Sequence, residues 1–205
     1  MKKTLIVSYT PRFGSRTKQL LDCFLQEAQG KTEITHVDLV EETPDLLLQE
    51  NLNVMLKRNF TNEVLSGEET VVLAKNDEML QQYKAADFIV LVHSMHNFSL
   101  PAPVKAWFDA VLQPNQTFNL TEKGYEGLCE GTKAAVLMTT GGDFNLDVVK
   151  DMNFATGLTT TCFGITGIPS QHISAYGMNM YLDRIDEILT ESKKEVVALV
   201  NEWYN

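Results

Sequence analysis

The stretch KKTLIVSY, at residues 2–9, decides the fold together with DFIVLV at residues 87–92. Each has a continuous apolar centre instead of alternating polar and apolar positions, which is typical of a strand buried on both faces of a parallel sheet. Residues 133–139 (KAAVLMT) form a third run of this kind. We therefore predict three central parallel strands.

Helical spacing of apolar residues separates these runs. It predicts helices over 15–29, 75–86, 104–112, 147–162 and 183–203, and more polar strands, suited to sheet edges, over 32–39 and 168–174. Strands that alternate with helices predict an α/β three-layer sandwich with a five-stranded parallel sheet, in the simplest order 2-1-3-4-5. Residues 40–75 show no regular pattern, and we expect an irregular insertion there that forms a pocket wall or a dimer arm.

Composition narrows the class of protein. The 205 residues suit a single domain over 1–205, and 44% apolar with 21% charged residues is ordinary for a globular chain. A net charge of −10 disfavours nucleic-acid binding. No apolar run approaches the roughly 20 residues that span a bilayer, so we expect no membrane segment. Three widely spaced cysteines and no signal-peptide pattern indicate a cytoplasmic protein.

A binding site is expected where the strand order reverses, beyond the carboxyl ends of the first and third strands. The loops at that point cover residues 8–17 (SYTPRFGSRT) and 93–103 (HSMHNFSLPAP), and the loop after the next strand covers residues 139–143 (TTGGD). We refer to them as the first, second and third loops.

The first loop leads into a helix, where free N–H groups and the helix dipole favour an anion. It carries four hydroxyl groups and two guanidinium groups, those of Ser8, Thr10, Ser15, Thr17, Arg12 and Arg16. Residues 1–21 contain basic residues but no acidic one. These features favour a phosphate monoester, although Ser15 as an ordinary helix cap is the plainer alternative. The loop lacks both Gly-x-Gly-x-x-Gly and a P-loop, so we expect a mononucleotide and not a dinucleotide.

The second loop presents Met95, His96, Asn97 and Phe98, which can line a flat slot and offer hydrogen bonds. His93 and His96 suggest a metal pair, but no further ligands accompany them and we expect no metal. The third loop contributes Thr139, Thr140, Gly141 and Gly142, whose glycines let backbone N–H groups approach a ligand, unless the loop is a plain turn. A phosphate at one end and a planar hydrogen-bonding ring at the other describe flavin mononucleotide (FMN).

The chain resembles the flavodoxin-fold NAD(P)H:quinone reductases, and most closely the FMN-dependent NADH-azoreductases. The resemblance is carried by residues 15–20 (SRTKQL), 95–98 (MHNF), 105–109 (KAWFD), 117–128 (TFNLTEKGYEGL) and 139–142 (TTGG), with a weaker likeness at 175–177 (AYG). It implies a homodimer with one FMN per subunit and an active site at the subunit interface. It also implies that NADH or NADPH reduces the flavin, leaves, and is replaced by a quinone or azo compound that accepts two electrons.

The resemblance places residues 95–98 and 139–142 against the isoalloxazine ring. The chain departs from the family pattern at His96, where Tyr is usual, and at Thr140, where Arg is frequent. Because imidazole titrates near neutral pH, His96 is our candidate for a proton or hydrogen-bond donor to the acceptor; the alternative is a residue that only packs against the ring.

The sequence is compatible with two other functions. One is a flavodoxin-like electron carrier with no small-molecule turnover, whose acidity would suit a basic redox partner. The other is a binding protein on the same fold that has lost its flavin, which the hydroxyl groups of the first loop argue against. Buried thiols are the preferred interpretation of Cys129 and Cys162, because neither has an evident activating base.

Overall fold

A computed structural model describes residues 1–61 and 63–204 of the chain. Strands and helices alternate through most of this length. In chain order the elements are β1 (Lys3–Tyr9), α1 (Arg16–Ala28), β2 (Glu33–Asp38), α2 (Gln49–Thr61), α3 (Gly67–Ala85), β3 (Phe88–Ser94), α4 (Ala102–Val111), β4 (Phe118–Thr121), β5 (Gly124–Gly127), β6 (Lys133–Thr139), α5 (Phe154–Ile165), β7 (Ser170–Ala175) and α6 (Ile185–Tyr204).

The main sheet has the order β2-β1-β3-β6-β7, and all of its strands are parallel. This is the predicted order 2-1-3-4-5 when only the strands of this sheet are counted, and the prediction is confirmed. The two polar strands, β2 and β7, lie at the edges as expected. The sequence did not predict β4 and β5, which pair with each other as an antiparallel hairpin outside the main sheet.

Helices cover both faces of the sheet. On one face α3, α4 and α5 bury Tyr83, Trp107 and Phe163 completely. On the other face α1 and α6 pack against the sheet, and the rings of Phe88 and Trp203 stack with centroids 4.7 Å apart. Burial of large apolar side chains on both faces is the main stabilising contribution to such a fold.

Residues 40–75 differ from the expectation of an irregular segment, because they hold α2 and the first part of α3. The reason is that α2 buries two polar residues and exposes three large apolar ones. Asn51 and Asn59 are buried together with Met55, whereas Leu52, Leu56 and Phe60 are 37%, 43% and 59% exposed. A helix with polar residues at buried positions and apolar residues at exposed ones does not show the usual pattern of a surface helix.

Two other helix boundaries differ from the predicted ones. The helix predicted over 75–86 begins earlier, at Gly67, where Ser66 and Glu69 form a reciprocal capping box. The helix predicted over 147–162 begins later, at Phe154, because the side chain of Asn153 caps it by accepting a hydrogen bond from the N–H of Thr156. Residues 143–153 are thereby left as turns and a single 3₁₀ turn, beside the third loop.

The cysteines carry free thiols, and Cys129 and Cys162 are buried as the sequence suggested. Burial raises the pKa of the Cys162 thiol to about 11 and raises that of Cys129 as well, which disfavours the reactive thiolates. Within residues 1–61 and 63–204, no helix is long and apolar enough to cross a bilayer.

Candidate functional site

A cavity of about 210 Å³ lies at the carboxyl ends of β1, β3 and β6, beside the first turn of α1. This is the point of the sheet at which the sequence predicted a site. The cavity is lined by residues of all three loops and of the chain after β7: Pro11, Arg12, Ser15, Arg16, Thr17, Ser94, Met95, His96, Thr139, Thr140, Gly141, Met178 and Asn179.

The first turn of α1 offers donors for an anion. Ser15 is the N-cap, and its Oγ accepts a hydrogen bond of 3.3 Å from the N–H of Lys18, so that its own proton stays available. The N–H groups of Arg16 and Thr17 donate to no acceptor in the described part of the chain. Arg12 is exposed and forms no ion pair among those residues. Together with the helix dipole, these groups suit a phosphate.

Arg16 is held by the chain that follows β7. Its guanidinium donates hydrogen bonds to the carbonyl oxygen of Met178 and, at 3.3 Å, to Oδ1 of Asn179. The side chain is half-buried at the cavity wall. Arg16 therefore joins the first loop to residues far away in the sequence, and the five-donor fork of a guanidinium leaves further donors for a ligand.

Hydroxyl groups of the first loop do not all face the cavity. Thr17 lines it, and its buried Oγ1 is 2.6 Å from Oγ1 of Thr139, also in the cavity wall. Ser8 is fully buried and does not line the cavity, because its Oγ is hydrogen-bonded to Nε2 of His36 on β2, at 2.9 Å. Thr10, which is half-buried, does not line it either.

The second loop turns back through two residues in the left-handed region, Asn97 at φ +47° and Phe98 at φ +69°. Two hydrogen bonds close the turn: His96 N–H to Ser99 O at 3.1 Å, and Ser99 N–H to His96 O at 3.0 Å. A bulky side chain at positive φ is strained, and such strain is frequent at functional sites. Met95 and His96 line the cavity, whereas the exposed Asn97 and Phe98 do not.

The two histidines of the second loop have different environments. His96 is exposed; its Nε2 lies 3.2 Å from Oγ of Ser94, and its ring meets that of Tyr9 edge-on with centroids 5.9 Å apart. His93 is fully buried, with Nδ1 3.1 Å from the carbonyl oxygen of Ser94, and burial lowers its pKa to about 4. Among the residues that the structure describes, no three or more metal-ligating side chains group together.

The third loop is fixed by its own backbone and by the chain after β7. Thr140 is buried in the cavity wall, and its Oγ1 donates to the carbonyl oxygen of Gly142. Gly141 also lines the cavity, and a Cβ there would lie 2.7 Å from Nδ2 of Asn179. Gly142 does not line the cavity, and a Cβ there would meet only Phe144 at 3.7 Å, an ordinary contact. Of these two glycines, Gly141 is thus the one where a Cβ would displace a neighbour, the end of the Asn179 side chain.

Three lining residues were not among the predicted site residues: Ser94, Met178 and Asn179. Ser94 lies within the second loop, whereas Met178 and Asn179 follow β7 and reach the cavity because the chain turns back at Gly177, whose φ is +77°. The glycine after a predicted edge strand and the weak family likeness at 175–177 were the hints of this turn.

Comparisons with known proteins agree with this geometry. The model of a family described by its flavodoxin-like fold matches residues 2–200. A relative from Hydrogenovibrio crunogenus, named FMN-dependent NADH:quinone oxidoreductase, is 35% identical over 159 residues, covering 76% of this chain and 77% of that protein. FMN-dependent NADH:quinone oxidoreductase 2 of Bacillus cereus (strain ATCC 10987) is 31% identical over 204 residues, covering 96% and 97%.

Solved structures are similar over the whole chain. An FMN-dependent NADH-azoreductase from Bacillus anthracis str. Ames Ancestor, in complex with FMN, has a TM-score of 0.87 and 27% identity, with 100% of each chain covered. An azoreductase from Bacillus anthracis str. Sterne has a TM-score of 0.91 at 24% identity, covering 99% of this chain and 100% of that one, which shows the fold alone. From its sequence, its sheet order and these matches, the chain belongs to the family of proteins with a flavodoxin-like fold.

Proposed function

We propose that this protein is an FMN-dependent NADH oxidoreductase that reduces quinones or azo compounds by two electrons. The observation that carries the proposal is the cavity itself, where unpaired N–H groups at the start of α1 and the second and third loops converge beyond the strand order reversal. The names of the relatives and the azoreductase complex with FMN point to the same activity.

The residues present fit an FMN. At one end, the N–H groups of Arg16 and Thr17, the Ser15 hydroxyl and the Arg12 charge suit the phosphate. At the other end, Gly141 lines the cavity without a side chain, so a flat ring can approach its backbone. We propose that the site includes the predicted residues that line the cavity: Ser15, Arg16, Thr17, Met95, His96, Thr139, Thr140 and Gly141.

The remaining predicted residues do not line the cavity, and we propose that they support the loops that do. Ser8 and Thr10 lie at the start of the first loop, and the hydrogen bond between Ser8 and His36 ties that loop to β2. Asn97 and Phe98 shape the turn of the second loop, and Gly142 accepts hydrogen bonds that fix the third. Contacts of their side chains with FMN stay a prediction.

When bound, the flavin would supply the two-electron chemistry between the nicotinamide and the second substrate. The chain binds the phosphate at α1, orients the ring between the second and third loops, and supplies protons. We propose His96 for the proton or hydrogen bond to the acceptor, since it is exposed beside the cavity with Ser94 within hydrogen-bond distance. NADPH is proposed as a second donor beside NADH, and a reducing cytoplasm as the location, which suits the free thiols.

We further propose a homodimer of single FMN-binding domains, with α2 as the dimer arm. The support is the inverted polarity of α2, which exposes Leu52, Leu56 and Phe60 along one side. Leu48, one turn before Leu52, is 66% exposed. A contiguous apolar stripe of this kind is unusual on a monomer and typical of an interface.

The polar side of α2 is anchored firmly. Arg58 forms an ion pair with Asp77 of α3 at 2.6 Å and donates to Oε1 of Gln113 at 2.8 Å. Nδ2 of Asn59 donates to the same Gln113 oxygen at 3.1 Å, and Nδ2 of Asn115 donates to the carbonyl oxygen of Asn59 at 2.6 Å. These contacts hold α2 with its apolar side outward, and we propose that a second copy of the chain covers that side.

The test is a visible absorption spectrum of the purified protein reconstituted with FMN, followed anaerobically by NADH and then by a quinone. The expected result is bound flavin that bleaches with NADH and recovers with the quinone. The same protein should then oxidise NADH steadily in excess quinone or azo dye, and NADPH replaces NADH in a parallel assay.

Each of the two other outcomes of this experiment supports one of the alternative functions. Flavin that binds tightly but is not reduced by NADH indicates the electron carrier, which would instead accept electrons from a protein partner. Absence of bound flavin, at FMN concentrations that saturate a known flavodoxin run in parallel, indicates the binding protein without flavin and overturns the proposal.

A further inference from the structure

The third loop is held by residues 175–181, which follow β7 and which we call the 175–181 segment. The carbonyl oxygens of three consecutive loop residues accept hydrogen bonds from it. Met178 N–H donates to Thr140 O, Asn179 N–H to Gly141 O and Gly177 N–H to Gly142 O, each at 2.9 Å. Because all three carbonyl oxygens accept hydrogen bonds from the same segment, the orientation of their peptide planes is fixed.

That orientation determines where the N–H groups of the loop point. In a trans peptide the C=O of one residue and the N–H of the next point in opposite directions. Because Thr140 O and Gly141 O face the 175–181 segment, the N–H groups of Gly141 and Gly142 face away from it. Neither N–H donates to an acceptor in residues 1–61 and 63–204, and Thr140 and Gly141 line the cavity. Within the described residues, Gly141 therefore offers an unpaired N–H at the cavity wall, and the unpaired N–H of Gly142 lies next to it in the chain.

The 175–181 segment is itself fixed at its middle and at its last residue. Arg16 donates to the carbonyl oxygen of Met178, which joins the segment to α1. At the last residue, the half-buried Tyr181 donates from its hydroxyl to Oδ2 of Asp143, at 3.0 Å. The Tyr181 ring packs on Gly177, where a Cβ would lie only 2.5 Å from Cδ2 of the ring. The hydrogen bond to Asp143 also raises the pKa of Tyr181.

We propose that Tyr181, through its hydrogen bond to Asp143 and its packing on Gly177, is a positioning residue that sets the reduction potential of the bound flavin. The inference rests on the proposed function. A flavin gains negative charge on its ring when it takes two electrons, and fixed backbone donors stabilise developing charge better than donors that must reorient. Loosening the 175–181 segment therefore weakens the binding of reduced FMN more than the binding of oxidised FMN.

The experiment compares the FMN-loaded wild type with Tyr181→Phe, which removes one hydroxyl outside the cavity. We expect the preference for reduced over oxidised FMN to fall by about tenfold, which is a decrease of about 30 mV in the two-electron potential. The measurements are the dissociation constant of oxidised FMN by fluorescence quenching and the midpoint potential by anaerobic titration with a reference dye. A merely structural role of Tyr181 would lower the stability of the protein without moving the potential.

A second variant and two control variants test whether the change in potential is specific to Tyr181 and its contact with Gly177. In Gly177→Ala the new Cβ would displace the Tyr181 ring, and we expect the two-electron potential to fall, as in Tyr181→Phe. Gly30→Ala is its control, because Gly30 has a similar φ of +74° but nothing within 4 Å of a Cβ. Tyr125→Phe controls for loss of a tyrosine hydroxyl, since the exposed Tyr125 makes no side-chain hydrogen bond in the described part of the chain.

The outcomes separate this inference from the proposed function. A wild type that binds FMN and is reduced by NADH, together with unchanged potentials in Tyr181→Phe and Gly177→Ala, would overturn the positioning role alone. Equal shifts in the control variants would overturn it as well. A wild type that binds no FMN would overturn both.

Discussion

The buried hydroxyl groups of Thr17 and Thr139 lie 2.6 Å apart and join the first turn of α1 to the end of β6. One hydroxyl donates to the other, so each has a protein partner at the wall of the cavity. The candidate phosphate donors at α1 are therefore the backbone N–H groups, Ser15 and the arginines, while Thr17 links two walls of the site.

Thr17→Val tests that link. The substitution leaves the buried Thr139 hydroxyl without its partner, and we expect the free energy of unfolding to fall by about 1–3 kcal/mol. Thr17→Ser, which keeps the hydroxyl, should lower the free energy of unfolding much less. Urea denaturation of the protein without FMN measures both variants, and equal stability of the valine variant and the wild type would contradict the role.

Gly141→Ala is expected to weaken FMN binding, because the new Cβ would lie 2.7 Å from Nδ2 of Asn179 and displace the cavity wall. Gly142→Ala is the matched control, since its Cβ meets only Phe144 at 3.7 Å. We expect at least about a tenfold loss of affinity for Gly141→Ala, equivalent to about 1.4 kcal/mol. Fluorescence titration with FMN gives the comparison, and similar affinities of the two variants would refute this assignment.

The sheet and the location of the site could be predicted because they depend on local and strong signals. Continuous apolar runs identify β1, β3 and β6, and the reversal of strand order then locates the cavity. The walls contributed by Met178 and Asn179 could not be predicted, because they reach the cavity only after the chain turns back behind β7. For α2, the sequence pattern failed for a different reason: the buried positions Asn51 and Asn59 are polar.

That inverted helix yields a prediction about assembly. Leu56→Glu places a charge in the apolar stripe of α2, and we expect it to convert the dimer to a folded monomer. Leu182→Glu is the control, because Leu182 is 67% exposed in the turn before α6, and α6 packs on the other face of the sheet. Light scattering measures the mass and circular dichroism the fold. A wild type that is monomeric at micromolar concentration would refute the proposed dimer.

His93 predicts how stability depends on pH. Its pKa is about 4 in the folded protein, because burial disfavours the charged ring, whereas an unfolded histidine titrates near about 6.5. Between these values the unfolded state binds more protons, so the free energy of unfolding rises with pH by up to about 1.4 kcal/mol per unit. This stability is fully present above about pH 6.5 and is lost as the pH falls toward 4.

His93→Gln removes that titration and should flatten the profile between pH 4 and 6.5, even though it also lowers the overall stability. Burial lowers the pKa of His36 and His172 too, so the test is the difference in slope between the variant and the wild type. Urea denaturation at half-unit steps of pH supplies both slopes. If the free energy of unfolding depended on pH with the same slope in the variant and the wild type, the interpretation of His93 as a buried neutral residue would be wrong.

His96 gives a prediction about turnover instead of stability. The ring is exposed beside the cavity, with Nε2 3.2 Å from Oγ of Ser94, so a proton can pass to or from solvent there. If the His96 imidazole supplies the proton to a reduced quinone, turnover depends on its N–H donor. His96→Phe keeps a planar ring but no donor, and we expect turnover about 10²-fold lower than in the wild type.

Steady-state rates between pH 5 and 8, with saturating NADH, separate this role from simple packing. A ring that only packs against the flavin would change the affinity for FMN but leave the shape of the pH profile as it is in the wild type. His172→Gln is the control, because His172 lies on β7, is hydrogen-bonded to Thr160 at 3.0 Å and does not line the cavity. Unchanged turnover of His96→Phe over the whole range would exclude proton donation by His96, and the proton would then come from water at the open side of the site.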